Sequence, residues 1–400
     1  MSKRLVTCLM AALVAVSVAV VPTRPASAAL AAGVTHEAIF SNPTAYATKT
    51  DYKIHERMVK MVNETPSGST IRHTAWNITY VRFADALINA HKRGVNVYVV
   101  QNGAKTTTQL TRIKSVLGSR HRICKKVVST GVINGCLSGA VNSYMHSKVT
   151  TFSTTGTKKR VVTSGSTNMT NHGYEVNDML IVAGDSTLYD GYVRYFNDMF
   201  NQRTNPNYMT STNGVVRAPG SASVSYFSPR LTSTGTRGVE PSTSVTTQAA
   251  TDPVVMALRR MTGGAGCSLK LAERYWNSER VHVTSQVVRI KKAGCSVIAI
   301  SDDMDWKTRN QLVGAGVTLR KTLRDTVYTY DNKMHGKYFV MEGTIDGVAG
   351  AREVWQGSHN LVGSSLRYAD DTLMQVKHGP TVSAYEAAFD RLYSTSYKHP

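Results

Sequence analysis

Apolar and polar residues follow one rhythm in the first half of the chain, and the second half repeats it. Residues 67–100, SGSTIRHTAWNITYVRFADALINAHKRGVNVYVV, open with an apolar strand and continue with apolar residues at helical spacing. They close on a glycine and a second apolar strand. Residues 265–300, AGCSLKLAERYWNSERVHVTSQVVRIKKAGCSVIAI, read the same way. Landmarks in the two segments lie 200 positions apart: Trp76-Asn77 and Trp276-Asn277, Lys92 and Lys292, Gly94 and Gly294, Val97 and Val297. Each glycine stands where the end of a helix needs a left-handed residue. Upstream, AIFSNP (38–43) and SYFSP (225–229) are apolar runs stopped by proline. Each half ends in an apolar strand and a helix, 178–183 with 187–201 and 371–376 with 381–393. Strands alternating with helices predict an α/β fold with a mixed sheet in each half, the whole being a duplication. The halves are placed at 29–202 and 223–400, joined by a polar linker at 203–222. A second polar stretch, 230–251, cannot build a core and is expected as a mobile loop, either a cover for a site or a solvated connector.

The first 28 residues break this rhythm. Lys3 and Arg4 precede an apolar run from Leu5 to Val21, followed by Pro22, Pro25 and Ala26-Ser27-Ala28. A charged start, an apolar core and a small-residue site predict a secretory signal cleaved after Ala28. The apolar core is short for a membrane span, and no later run is suited to cross a bilayer. Without the signal four cysteines remain, Cys124, Cys136, Cys267 and Cys295. An even number in an exported chain suggests two disulfides, and the pairs 124–136 and 267–295 are local, one in each half. The signal holds Lys3, Arg4 and Arg24 and no acid, so its removal takes the formal charge from +21 to +18. That excess favours polyanions or anionic membrane surfaces and says nothing about chemistry.

The candidate chemistry lies in a short pattern that also occurs twice. His146 and Lys148 stand in YMHSKVTTFS (144–153), His335 and Lys337 in KMHGKYFVME (333–342). One His-x-Lys means little in a chain with 12 His and 47 Lys+Arg, but both copies have the same surroundings. From Phe40 to His146 is 106 residues, and from Phe227 to His335 is 108. GSTN (165–168) starts 19 residues past His146, GSHN (357–360) 22 past His335. NDMLIV (177–182) and DDTLMQV (370–376) then follow, each acidic and then apolar. On a strand, residues two apart share a face, which would align His146 with Lys148, His335 with Lys337, Ser166 with Asn168 and Ser358 with Asn360. Lys, Ser and Asn are hydrogen-bond donors suited to a phosphodiester and to the charge that develops in its transition state. One neutral and one protonated imidazole divide the roles of nucleophile and general acid.

This doubled pattern resembles the phospholipase D superfamily, and the resemblance covers essentially the whole chain after the signal. It implies two halves facing each other across a pseudo-twofold axis, with both motifs in one pocket. It also implies a phosphohistidine intermediate, formed on His146 with His335 as acid and base, and no metal or other cofactor. Phospholipases of the superfamily also pass the intermediate to small alcohols. A nucleophilic His needs an acceptor on its other ring nitrogen, and Asp178, Asp370 and Asp371 are the candidates, each alternatively a solvated strand-end carboxylate. The family's aspartate, which follows each Lys after four intervening residues, is replaced by Ser153 and Glu342 here. The first replacement puts in question how firmly the first motif is held. His36, His55, His73, His121 and His172 have no partner at metal-ligand spacing, so no metal site is expected. The basic runs at 120–126 and 158–160 read as solvated faces, and Trp76 and Trp276 as core.

Three functions follow. The first is a secreted, monomeric phospholipase D acting on glycerophospholipids at a membrane surface. The second is a secreted, sequence-independent endonuclease, for which the basic charge argues. The third is a non-catalytic protein that binds polyanions or membranes. Small nucleases of the superfamily typically carry one motif and dimerise, whereas secreted bacterial phospholipases carry both motifs in one chain, which places the first reading ahead.

Overall fold

A computed structural model describes residues 28–42, 50–230, 249–264, 266–322 and 333–399. The expected signal up to Ser27, and residues 231–248 of the expected loop, lie outside the described residues. Two mixed sheets dominate. From edge to edge the first runs Thr35–Phe40, Asp178–Ala183, Lys158–Gly165, Val149–Thr155, Thr70–Ala75, Asn96–Asn102, His121–Cys124. Neighbours are antiparallel as far as Thr70–Ala75 and parallel beyond it. In the second sheet Ser223–Phe227, Thr372–Val376, Val348–Gly357, Lys337–Ile345, Ser268–Trp276, Ser296–Met304 and Thr318–Lys321 follow in the same order and directions. The repeat in the sequence is therefore a repeat in topology.

Three cores explain where the apolar positions go. Helices Lys53–Asn63, Val81–Lys92 and Thr108–Leu117 bury their apolar faces on the outer side of the first sheet, with Ile54, Phe83, Leu87, Ile113 and Phe152 fully buried. Helices Pro253–Arg259, Val281–Lys292 and Trp306–Gly314 do the same for the second sheet, around Leu271, Val287, Leu312 and Phe339. The inner faces share the third core, with Val162 and Leu180 from one sheet and Val340 and Val354 from the other. Helices Ser186–Phe200 and Gly379–Thr395 complete it through Tyr192, Phe196, Tyr385 and Phe389. Burial on both faces is why Asp178–Ala183 reads as an unbroken run and not as an alternation. Gly94 and Gly294 end their helices at φ of 90° and 91°, the left-handed region the sequence anticipates there.

Two sequence readings are corrected by the fold. The stretch 203–222 is no bare linker, because Val215–Ala218 pairs with Ser223–Phe227 and forms an edge of the second sheet. Buried Val216 and Ala218 give it a reason to stay there. Trp76 is half-exposed and not core, whereas Trp276 is buried with its indole N–H on Thr284 Oγ1. Among the described residues no helix is long and apolar enough to cross a membrane.

Disulfides join Cys124 to Cys136 and Cys267 to Cys295, the local pairing expected from the sequence. A non-reducing digest should yield both pairs as linked peptides. By loop closure over 12 and 28 residues, removing each bridge should lower unfolding free energy by about 3 and about 4 kcal/mol respectively. Four thiols open to alkylation in the native protein would refute the pairing.

Candidate active site

The two His-x-Lys motifs sit where the halves exchange backbone. His146 follows the short strand Tyr144–Met145 and precedes Val149–Thr155, and His335 falls between Lys333–Met334 and Lys337–Ile345. Neither histidine lies on a strand, contrary to the sequence reading, because the opposite half captures the main chain. Tyr144–Met145 pairs with Ala369–Asp370, and Lys333–Met334 with Glu175–Val176, both parallel. His146 N–H and Ser147 N–H donate to the Asp370 carbonyl at 3.0 and 2.8 Å, and His335 N–H donates to the Val176 carbonyl at 3.0 Å. A twofold relation between halves produces this kind of reciprocal pairing.

The same reciprocity orients the rings. His146 Nδ1 lies 3.0 Å from Asp371 Oδ1, and His335 Nδ1 lies 2.8 Å from Asn177 Oδ1. Asp371 and Asn177 hold equivalent places, each one residue before its strand, Thr372–Val376 or Asp178–Ala183. Each imidazole thus has Nδ1 engaged by the other half, which leaves Nε2 as the nitrogen open to substrate. The serines brace these acceptors. Ser166 Oγ donates to Asn177 Oδ1 at 3.0 Å, and Ser358 Oγ donates to Asp371 Oδ1. Each hydroxyl also accepts the next main-chain N–H, from Asp178 and from Thr372, at 3.0 Å. Ser166 and Ser358 therefore hold the groups that orient the histidines; the sequence reading had them bind phosphate.

Of the three expected acids, Asp371 alone meets a histidine. Asp370 points away and accepts the N–H groups of Cys136 and Leu137, with burial pushing its pKa up to about 7. Asp178 accepts from Tyr385 Oη at 3.2 Å on the shared core side, and burial raises it too. Facing His335, sequence reasoning missed Asn177 and also Glu175, whose Oε2 is 3.8 Å from His335 Nδ1. Its pKa is lowered because His335 and His172 outweigh the opposing effect of burial, so a carboxylate stands behind the neutral amide. The signal for Asn177 was available: it is the residue just before the strand, as Asp371 is.

Both lysines fold back, Lys148 Nζ donating to the His146 carbonyl and Lys337 Nζ to the His335 carbonyl at 2.6 Å. Asn168 and Asn360 each have a buried amide oxygen without a partner among the described residues. Asn360 is anchored through its carbonyl by Arg280, a fully buried guanidinium held by Asp252 and by His359 Nε2. On the His146 side the half-exposed Trp76 ring lies 5.3 Å from the imidazole, edge to face, with Lys105 Nζ 5.3 Å from the indole. Ser153 lies outside this centre: its Oγ accepts the Thr70 N–H at 2.8 Å, tying adjacent strands. Glu342 faces Arg352 at 3.8 Å. The replaced acids are thus strand-to-strand contacts.

Burial dominates the electrostatics. It lowers His146 to about 4, helped by Lys148 and opposed by Asp371, and it takes His335 well below the ordinary imidazole value. Burial also lowers Lys148 well below the usual amine and brings Lys337 to about 8. Asp371 stays ionised, since His146 and Lys148 outweigh its own burial. The free site is a pocket of desolvated bases, and a bound anion would restore protons to it. Among the described residues no group of three or more His, Cys, Asp or Glu is placed to hold a metal ion.

Residues 59–200 match the family described as cardiolipin synthase, PLD-like domain. No curated protein matches the sequence. Among solved structures, phosphatidylserine synthase from Haemophilus influenzae Rd KW20 aligns over 86% of this chain and 85% of its own, at 10% identity and a TM-score of 0.57. Polyphosphate kinase from Porphyromonas gingivalis aligns over 90% of this chain and 46% of its own, at 13% identity and a TM-score of 0.55. This chain thus spans about half of that kinase. Nuc from Salmonella typhimurium, a phospholipase D family member, aligns over 42% of this chain and 95% of its own, at 16% identity and a TM-score of 0.31.

Proposed function

We propose that the chain, whose residues 59–200 match a PLD-like domain and whose two halves each carry a His-x-Lys and a Gly-Ser-x-Asn element, is an exported phospholipase D. It would hydrolyse glycerophospholipid headgroups to phosphatidic acid through a phosphohistidine. The observation that carries this reading is the crossed hydrogen bonding, His146 to Asp371 and His335 to Asn177, which ties both motifs into one centre. His146, backed by a charged carboxylate, is the nucleophile. Its Nε2 attacks phosphorus while the bond to the headgroup oxygen breaks and His335 Nε2 gives that oxygen its proton. Water then attacks phosphorus, passing a proton to His335 and releasing His146. Lys148, Lys337, Asn168 and Asn360 supply donors to the non-bridging oxygens. The incoming anion makes the protonated form of His335 available in a site that otherwise keeps both imidazoles neutral. Two disulfides fit an oxidising compartment, which supports export.

The test incubates the chain with vesicles of phosphatidylcholine and phosphatidylserine plus ethanol, in EDTA. Phosphatidic acid and phosphatidylethanol should both form, because any small hydroxyl can resolve the intermediate, and both should vanish in His146→Ala. The formal charge of +21 favours one second reading, an endonuclease. Binding to DNA decides nothing, since counterion release alone ensures it. Plasmid nicked by wild type and not by His146→Ala, with neither lipid product formed, would establish the nuclease. Activity lost in EDTA and restored by one divalent ion would overturn the mechanism.

A further inference from the structure

The two ends of this centre are not alike. Glu273 lies opposite Lys337 in the antiparallel pair of Ser268–Trp276 and Lys337–Ile345. The next residue, Arg274, is thereby level with Gly336, beside His335. Arg274 is 4% exposed. One arm of its fork is engaged, Nη2 lying 2.6 Å from Asp303 Oδ2 and 3.2 Å from Tyr275 Oη. The other nitrogen, Nη1, is buried without a hydrogen-bond partner among the described residues. A buried guanidinium N–H without an acceptor is unfavourable unless a ligand supplies one. Burial raises the pKa of neighbouring Glu273 well above the usual carboxyl value, and its Oε2 is likewise buried without a hydrogen-bond partner among the described residues. The equivalent residue of the first half is Thr74, whose hydroxyl is engaged by the Ser147 carbonyl. This buried guanidinium therefore has no counterpart at the equivalent position of the His146 end, which has Trp76 and Tyr144, with Lys105 over the indole. Its charge reaches the centre, contributing to the lowering of both His335 and Lys337.

We propose that Arg274 Nη1 is the donor of an anionic subsite on the leaving-group side of the centre, which takes a carboxylate or phosphate carried by the departing headgroup. This rests on the reading above, in which His335 protonates the leaving oxygen. It deepens that reading by selecting anionic headgroups over zwitterionic ones of the same size. Phosphatidylserine differs from phosphatidylethanolamine by the one carboxylate that Arg274 would hold.

Two measurements test it separately from the phospholipase assignment. The first is calorimetric binding of inorganic pyrophosphate and orthophosphate, with no turnover. Pyrophosphate offers the His/Lys centre one phosphoryl group and Arg274 a second, so wild type should bind it on the order of tenfold more tightly than orthophosphate. In Arg274→Gln the ratio should fall towards one. Equal affinity of the wild-type protein for the two anions overturns the proposal without recourse to a variant. So does an undiminished ratio in an Arg274→Gln protein that melts cooperatively. The second compares kcat/KM for phosphatidylserine and phosphatidylethanolamine in mixed micelles held at one surface charge by an anionic detergent. Wild type should favour phosphatidylserine on the order of tenfold, and Arg274→Gln should lose that preference. If the pyrophosphate ratio behaves as expected and neither lipid is cleaved, the phospholipase reading fails and the subsite stands.

Discussion

Alanine at His146 or at His335 should each abolish turnover, by on the order of 10⁴-fold or more, and the double variant should be no worse than either single one. The reason is that in the proposed mechanism the two rings act on one phosphorus. Without His146 no covalent intermediate forms, and without His335 neither the leaving oxygen nor the attacking water has a proton partner. Groups working as a unit do not add, because the first loss already removes the pathway. The crossed contacts make this a statement about structure as well as kinetics: each ring is oriented by a residue of the opposite half, 225 and 158 positions away. Wild type denatured during turnover at neutral pH should carry the phosphatidyl group on His146. Substantial turnover in either single variant, or that group on His335, would break the assignment.

Asp371→Asn should reduce kcat by on the order of 10²–10⁴-fold while leaving the protein folded. A neutral amide can still accept the Nδ1 proton, but it no longer stabilises the positive charge that His146 acquires as it bonds to phosphorus. The opposite half already has this arrangement, since Asn177 faces His335. Asn177→Asp is the informative partner experiment. A carboxylate beside His335 favours its protonated form, so the His335 pKa rises. The limb of the pH–rate profile that reports the general acid should then move to higher pH. Asp371→Asn should not shift that limb and should act on the rate of phosphoenzyme formation. A profile that moves with Asp371→Asn and not with Asn177→Asp would exchange the roles of the two histidines.

Much of the fold could be read from the chain because periodicity is local. The helix Val81–Lys92 buries Phe83, Ala84, Leu87 and Ile88 at helical spacing, and Gly94 ends it where the spacing stops. The matching offsets around Trp276, Lys292 and Gly294 carry the same pattern into the second half. Val215–Ala218 escaped notice because four residues show no period, and pairing with Ser223–Phe227 alone makes them a strand. Trp76 and Trp276 occupy equivalent positions with different fates. Tyr144 and His146 border the first at the site, and Thr284 receives the indole N–H of the second inside the core.

The candidate site divides along the same line. The sequence by itself determined that there are two His-x-Lys and two Gly-Ser-x-Asn elements, and which cysteines can pair locally. These follow from residue type and short spacing, which survive without knowledge of packing. Only the tertiary structure decided that Asp371, and neither Asp370 nor Asp178, holds His146. The tertiary structure also set Asn177 with Glu175 behind it against His335, and left Arg274 with a free buried N–H at one end. Each of those facts depends on which half lies across from which. A hydrogen bond between halves has no local period to announce it, because its geometry exists only once the two sheets have closed on their shared core.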